Sequence, residues 1–486
     1  MAKKIYGEQT KTKFYITTTL PYVNSKPHIG FALEIIQADV VARFKTLQGH
    51  EVFFNTGTDE HGQKIYQKAI DEGKDPQAYT DEYAAKFDIL KEKLNLSYNN
   101  FIRTTDVHHK NAAQVLWNIC LKNGYIEKGN YNAKYCVGCE LEKQDSDLVD
   151  GKCPDHPNLE ISLIKEENYF FKFSKLQEKL LKLYENNPNF VIPSHRQTEI
   201  INFVKSGLQD FSISRLKEKM PWGVPVPDDP TQVMYVWFDA LTNYISALGW
   251  PEDIKRFNEF WGTNKDPNAL QVAGKDNLRQ QTSMWQAMLI AADLPVSKQV
   301  FIHGFIIADG QKMSKTLGNV VDPLEYVDKY GTDPLRYYLL AKINPTEDSD
   351  FTKEKFEDTY NADLANGLGN LVSRVARMCE KSEFMFESTD TNIYPEVSKS
   401  IEEFRFDSAL KFIWEKIAVV DQEINKTEPW KLSGKELQNA LQSYLNQIAE
   451  ISLNLKPFLP ETVNKIAKVF GDVRIKMTEP LFPRLN

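Results

Sequence analysis

Three of the five cysteines and one histidine crowd into a short stretch, as Cys136-x2-Cys139, thirteen residues, then Cys153-x2-His156. Two knuckles of this kind offer three thiolates and one imidazole, the donor set of a tetrahedral zinc ion. Four protein ligands leave no open coordination position. The ion expected at Cys136, Cys139, Cys153 and His156 is therefore structural, one that holds its segment together without polarising a substrate. Three free buried cysteines are the plainer alternative. Cys120 and Cys379 stand apart, and five cysteines are too few for a disulfide framework.

A second group of residues could handle phosphates. In PHIGF, Pro27 to Phe31, a histidine and a glycine stand where a helix should begin, so unpaired backbone N–H groups and the helix dipole favour an anion there. Gly30 permits close approach of a nucleotide. In GQKMSKTLGN, Gly310 to Asn319, Lys312 and Lys315 lie three apart in a loop bounded by Gly310 and Gly318, suited to a mobile lid over phosphates. Each motif is weak alone. A His-x-Gly at a helix start is more often turn chemistry, and GKD, Gly274 to Asp276, is by itself a solvated turn.

The elements that must position these residues follow from hydrophobic periodicity. KFYITTTL from Lys13 reads as a buried strand, Pro21 to Pro27 as a turn, and Leu33, Ile36, Val40, Phe44 and Leu47 recur at helical spacing before a second strand, EVFFNTG. That order is a βαβ unit, whose right-handed crossover gathers the loops after the strands at one ligand-binding edge of a parallel sheet. Short segments and turn residues replace this pattern between about Tyr125 and Trp222. Strand-like runs then resume with QVMYVWF, NALQVAG and QVFIHGF. After Asp350 the pattern is helical to the end, with Leu364, Leu368, Leu371, Val375 and Met378 on one apolar stripe.

The expected fold is α/β. A Rossmann-type parallel-sheet catalytic domain occupies 1–124 and 223–305, split by a zinc-bearing insertion at 125–222; a loop and stem-contact region follows at 306–355, then an α-helical bundle at 356–486. A chain of 486 residues supports several such domains. Its composition, 42 % hydrophobic, 26 % charged and 12 % aromatic, excludes disorder as the default. No apolar run approaches a membrane span, and the start MAKKIYGEQTKTKFYI lacks a signal-peptide core, so the cytoplasm is expected. A net charge of −8 argues against indiscriminate nucleic-acid binding but leaves room for a local basic groove.

In order, strand context and separation, PHIGF and GQKMSKTLGN together resemble the paired signatures of class I aminoacyl-tRNA synthetases, usually written HIGH and KMSKS. Phe31 and Thr316 depart from them, a second histidine and a serine being usual. The resemblance implies that His28 stabilises the triphosphate while Lys312 and Lys315 neutralise charge on pyrophosphate, with no covalent enzyme intermediate. It extends ATP binding to Gly30, Gly274, Asp276, Met313 and Ser314, with Asp276 accepting from the ribose hydroxyls, and implies Mg2+ with ATP.

Within that class the segment 125–222 is too short to house the large editing insertions of the leucine, isoleucine and valine enzymes. TTTLPYVN with Leu20 and Tyr22, GTDEHG with Asp59, and YVWFDALTNY with Trp237, Ala240 and Tyr244 resemble the methionyl-tRNA synthetase family, over essentially the whole chain to PLFPRL. The family reading pairs Asp59 with the substrate ammonium. Leu20, Tyr22, Trp237, Ala240, Tyr244 and Trp285 would enclose a thioether through sulfur–aromatic contacts, although core packing is the ordinary role of any single aromatic. Gln280 and Gln281 stand where the family has Phe-His, which makes Gln281 a polar liner of the side-chain pocket.

The same resemblance transfers tRNA anticodon contacts to Asn370 and Arg374, four apart on one helix face, and to Trp430. Asp421 and Glu423 depart from the family pattern beside them. The expected partners are ATP, L-methionine and tRNA(Met), with no membrane, and a monomer is expected because no appended dimerising segment follows the bundle. The alternatives are another short class I aminoacyl-tRNA synthetase or a non-catalytic tRNA-binding paralogue. A cysteinyl enzyme would need zinc in the catalytic pocket, and retention of His28, Lys312, Lys315 and Asp276 weighs against a binding-only descendant.

Overall fold

A computed structural model describes residues 12–485 apart from 140, 144, 309, 314–317, 472–474 and 477–478, and describes the backbone alone at 131–133, 141, 142, 146, 164 and 312. Its centre is a six-stranded parallel sheet. The strands are β1 (Lys13–Thr18), β2 (Glu51–Thr58), β3 (Asn100–Arg103), β4 (Val191–Ile192), β5 (Ala269–Gly274) and β6 (Gln299–His303), in the order β3-β2-β1-β5-β6-β4. β5 is buried along its whole length and β1 at all but its first residue, the signature of a sheet covered on both faces. Helix α1 (Ile29–Leu47) crosses from β1 to β2.

Two findings differ from the expected division of the chain. The segment 125–222 carries a separate antiparallel sheet of Leu141–Lys143, Ile126–Cys136, Ser162–Phe171 and Phe211–Ser212. It also returns β4 to the edge of the parallel sheet, where Val191 and Ile192 pair with Val300 and Phe301. Secondly, QVMYVWF is strand only to Met234, and helix α2 (Val236–Leu241) follows. In a strand, Trp237 and Asp239 would share one face. The helical turn instead sends Trp237 and Ala240 to the ligand-binding edge and buries Asp239 between two histidines.

Helices α3 (Thr332–Ala341), α4 (Asn370–Ser382), α5 (Phe406–Thr427), α6 (Gly434–Leu455) and α7 (Pro460–Phe470) form most of the C-terminal region. Leu364, Leu368, Leu371 and Val375 are buried and Met378 partly so, the first two on a π-helical turn, Tyr360–Gly369, that runs directly into α4. The region is not helical throughout. Glu383, at φ 55°, closes α4, and the Ser-, Thr- and Asp-containing stretch before Pro395 stays irregular, as its turn chemistry favours.

A buried ion pair joins this region to the sheet. Asp39 of α1 meets Arg336 of α3 at 2.7 Å, both fully buried, and Arg336 also donates to the carbonyls of Leu94, Pro457 and Phe458. Burial alone would raise the Asp39 pKa, but Arg336, Arg43 and Ser97 hold it below the ordinary carboxylate range. Removing one partner of such a pair costs about 3–5 kcal/mol, because the other charge is left buried. Among the described residues no helix is long and apolar enough to cross a membrane.

Candidate active site

The carboxyl ends of the central strands open into a cavity of about 1020 Å³. The loop after β1 brings Leu20 and Tyr22, the start of α1 brings His28 and Gly30, and the end of β2 brings Asp59. α2 brings Trp237 and Ala240, with Tyr244 just beyond it, and the end of β5 brings Gly274, Asp276 and Gln281. Met313 closes the set from the second motif. Backbone bonds zip the first two loops together: Asp59 N donates to the Pro21 carbonyl at 3.0 Å and Val23 N to the Asp59 carbonyl at 3.2 Å. The Tyr22 hydroxyl adds a bond to the His61 carbonyl at 2.7 Å.

His28 caps α1, its Nδ1 accepting from Gly30 N at 3.1 Å. That bond places the imidazole proton on Nε2, so a neutral His28 is a donor at the positive end of the helix. A Cβ on Gly30 would stand 3.0 Å from the His28 ring, tighter than ordinary contact. A Cβ on Gly274 would lie 2.7 Å from Asp276 Oδ1, so glycine is what lets the Asp276 carboxylate fold back over the strand end. Phe31 lines the cavity and packs edge-on to Phe87, ring centroids 5.6 Å apart, filling with apolar surface the place of the usual histidine.

Of the predicted residues, three are not described in full and one falls elsewhere. The side chain of Lys312, and all of Ser314 and Lys315, lie outside the described residues. Trp285 does not line the cavity: it is fully buried behind Tyr244, ring centroids 5.7 Å apart. The π-helical turn Gln280–Met284 shifts the phase of the helix between Gln281 and Trp285, so one residue reaches the cavity and the other the core.

Sequence reasoning missed Glu34 and His303, which line the cavity together. Glu34 Oε1 accepts from Thr19 N and Oγ1 at 2.7 and 2.6 Å, and Oε2 meets His303 Nε2 at 3.0 Å. His303 Nδ1 donates to the Gly304 carbonyl at 2.7 Å, which leaves Nε2 to face the Glu34 carboxyl group. Burial pulls the His303 pKa down, but the Glu34 bond and charge outweigh it and the net shift is upward. The HGF of QVFIHGF was a signal; a βαβ reading had no reason to pair it with a helix residue 269 positions away. Behind the α2 wall, Asp239 accepts from His61 Nδ1 at 2.7 Å and from His109 Nε2 at 2.8 Å, which overcome the upward push of burial and bring its pKa down to about 2.

Cys136, Cys139, Cys153 and His156 converge in the antiparallel insertion, with one ligand atom of each within 4.8 Å of all the others. Cys139 Sγ lies 3.4 Å from Cys153 Sγ and 3.2 Å from His156 Nδ1. A tetrahedral ion with bonds of about 2.0–2.3 Å sets ligand atoms roughly 3.3–3.8 Å apart, so the donors fit a metal ion in chemistry and in spacing. A Cβ on Gly138 would come within 2.4 Å of the His156 ring, so the knuckle closes only around glycine. None of the four lines the cavity.

Asn370, Arg374 and Trp430 are likewise remote from the cavity, on the helical region. Trp430 is 58 % exposed. The Arg374 guanidinium sits 5.6 Å over the Trp430 ring and donates to Asn425 Oδ1 at 2.8 Å. Asp421 lies 3.6 Å from Arg374; burial raises its pKa and Arg374 only partly opposes that. Asn370 is exposed on the same helix.

Comparison with known proteins agrees with this arrangement. The family model described as tRNA synthetases class I (M) matches residues 14–160 and 158–376. A methionine–tRNA ligase of Clostridium acetobutylicum is 44 % identical over 477 residues, covering 94 % of this chain and 73 % of that protein. One from Thermotoga maritima is 42 % identical, covering 93 % and 74 %. Mycobacterium tuberculosis methionyl-tRNA synthetase in complex with methionyl-adenylate superposes with a TM-score of 0.89 at 32 % identity, covering 97 % of this chain and all of the other. Sequence, fold and the composition of the cavity agree that the chain belongs to the methionyl-tRNA synthetases, within class I of the aminoacyl-tRNA synthetases.

Proposed function

We propose that this chain is a methionine–tRNA ligase, which activates L-methionine with ATP and transfers it to the 3′-end of tRNA(Met). One observation carries the reading: a single cavity at the carboxyl edge of the sheet gathers an anion-binding helix start, a buried carboxylate and an aromatic wall. Methionine carboxylate attacks the α-phosphorus of ATP and pyrophosphate leaves. The ribose hydroxyl of the tRNA terminus then attacks the adenylate carbonyl and AMP leaves. Neither step needs an enzyme nucleophile.

The residues divide that work by position. Asp59 takes the ammonium group, while Leu20, Tyr22, Trp237, Ala240 and Tyr244 surround the side chain. His28 Nε2–H and the α1 N-terminus at Gly30 meet the triphosphate, Asp276 takes the ribose, and the loop from Lys312 to Lys315 covers the pyrophosphate. Mg2+ enters with ATP as part of the substrate. Cys136, Cys139, Cys153 and His156 would hold one zinc ion, which closes the insertion and takes no part in the chemistry. Asn370, Arg374 and Trp430 offer hydrogen bonds and a stacking face to anticodon bases. The reading assigns the chain to the cytoplasm, as a monomer.

The test is amino-acid-dependent ATP–pyrophosphate exchange with purified protein, with Lys312→Ala as control. Methionine-dependent exchange that collapses in the control is expected. Exchange with cysteine or leucine instead would overturn the substrate assignment, and no exchange with any amino acid would overturn catalysis.

A further inference from the structure

Trp222 stands at the end of the segment 125–222 and does not line the cavity, yet it holds the loop after β2 at two points. Its indole Nε1–H donates to the Glu60 carbonyl at 2.6 Å, and its own carbonyl accepts from Gly62 N at 3.1 Å. His61, between those two, packs edge-on against the indole, ring centroids 5.6 Å apart, and turns its Nδ1 to Asp239 of α2. Trp222 thus brackets one residue of the loop with a side-chain bond and a main-chain bond, which fixes both the height and the tilt of that segment.

The other side of the same loop faces the cavity. Asp59 is tied by its backbone to Pro21 and Val23, and the Tyr22 hydroxyl donates to the His61 carbonyl. At Gly62 φ is 109°, and a Cβ there would come within 2.2 Å of the Tyr22 hydroxyl, so only glycine lets the loop pass this close. Glu60 is no second anchor for an ammonium group. It is fully buried, and its carboxylate already accepts from Thr58, from Thr105 and twice from Arg103, which uses its lone pairs. The two neighbouring carboxylates are therefore divided, Glu60 inward and Asp59 lining the cavity.

We propose that Trp222 is a positioning residue for the substrate ammonium: it fixes residues 60–62 from the side of the segment 125–222 and so aims Asp59 into the cavity. The inference rests on the methionine reading above. Arg103 holds the Glu60 side chain, whereas Trp222 holds its backbone. Loss of the indole N–H frees a buried carbonyl, and a loop that shifts to satisfy it carries Asp59 with it.

The experiment is ATP–pyrophosphate exchange by the full chain carrying Trp222→Phe, Asp59→Ala or both, with methionine and ATP varied separately. Trp222→Phe keeps a ring and removes the N–H. Its KM for methionine should rise about tenfold, with kcat and the KM for ATP within about twofold of the parent. In the Asp59→Ala background the same substitution should add at most about twofold, because the group it positions is gone. A parental KM for methionine, an equal rise for methionine and ATP, or the full tenfold effect on top of Asp59→Ala overturns the proposal. Should Trp222→Phe melt early, equilibrium dialysis below its transition decides: weaker methionine binding with parental ATP binding supports the proposal, and equal weakening of both overturns it. Parental protein with no methionine-dependent exchange would instead defeat the functional reading itself, independently of any variant.

Discussion

The Cys/His cluster draws all four donors from one stretch, 136–156, whereas the cavity takes its lining from Thr19 through Asp322. In the first, the Cys136–Cys139 knuckle closes against His156 at Gly138, and a metal ion bound by the four donors would supply the cross-link. In the second, no group holds the others directly. Glu34 and His303, 269 residues apart, and Asp239 with its two histidines hold the walls through buried bonds between distant elements. A local site therefore stands or falls with its ligand, and a distributed one with the packing of the whole sheet.

Removing a metal ligand should give the largest effect and separate the two regions most clearly. Binding of structural zinc is worth on the order of 10 kcal/mol to a small zinc module. Cys139→Ala is expected to lose its stoichiometric metal by elemental analysis and to become sensitive to protease within 136–156. Asp59→Ala should do the converse. It keeps the metal but lowers kcat/KM for methionine by roughly 10²–10³-fold, the equivalent of about 3–4 kcal/mol for an unpaired substrate ammonium. Loss of metal in Asp59→Ala, or full methionine affinity, would break the contrast.

Trp430→Ala sharpens it by adding a third, exposed region. Loss of one stacking face of about 1–3 kcal/mol should raise the KM for tRNA about tenfold in aminoacylation. The ratio of aminoacylation to pyrophosphate exchange then falls, and an unchanged ratio would remove Trp430 from tRNA recognition.

The smallest expected effect is the pH dependence of the His303–Glu34 bond. The folded-state pKa of His303 is raised, so its contribution to stability is fully present below the unfolded value of about 6.5 and is lost as pH rises through the folded value. The difference in Tm between the parent and His303→Gln should narrow as pH increases from 6 to alkaline. A difference that widened would mean that His303 is neutral when folded.

Much of the site was readable because short-range rules place it. Cys136, Cys139, Cys153 and His156 follow a ligand spacing, His28 and Gly30 follow helix-start chemistry, and Asp59 follows from the end of a buried strand. Trp285 was legible as an aromatic near the cavity but not as a core residue, since a π-helical turn leaves no mark in the spacing of the residues around it. Asp421 was legible as a departure from the family pattern, and only the fold shows it beside Arg374.

The sequence by itself determined the α/β class, the start of α1, the Cys/His cluster that could hold a metal ion and the family, because each depends on spacing within a few turns or on motifs in order. The tertiary structure alone decided that VWF turns into a helix, that β4 returns to the parallel sheet, that Glu34 pairs with His303, and that Gln281 addresses Tyr244. The reason is physical. A buried polar atom must find its partner wherever the chain brings one, and that partner is chosen by packing across the whole molecule, to which local periodicity is blind.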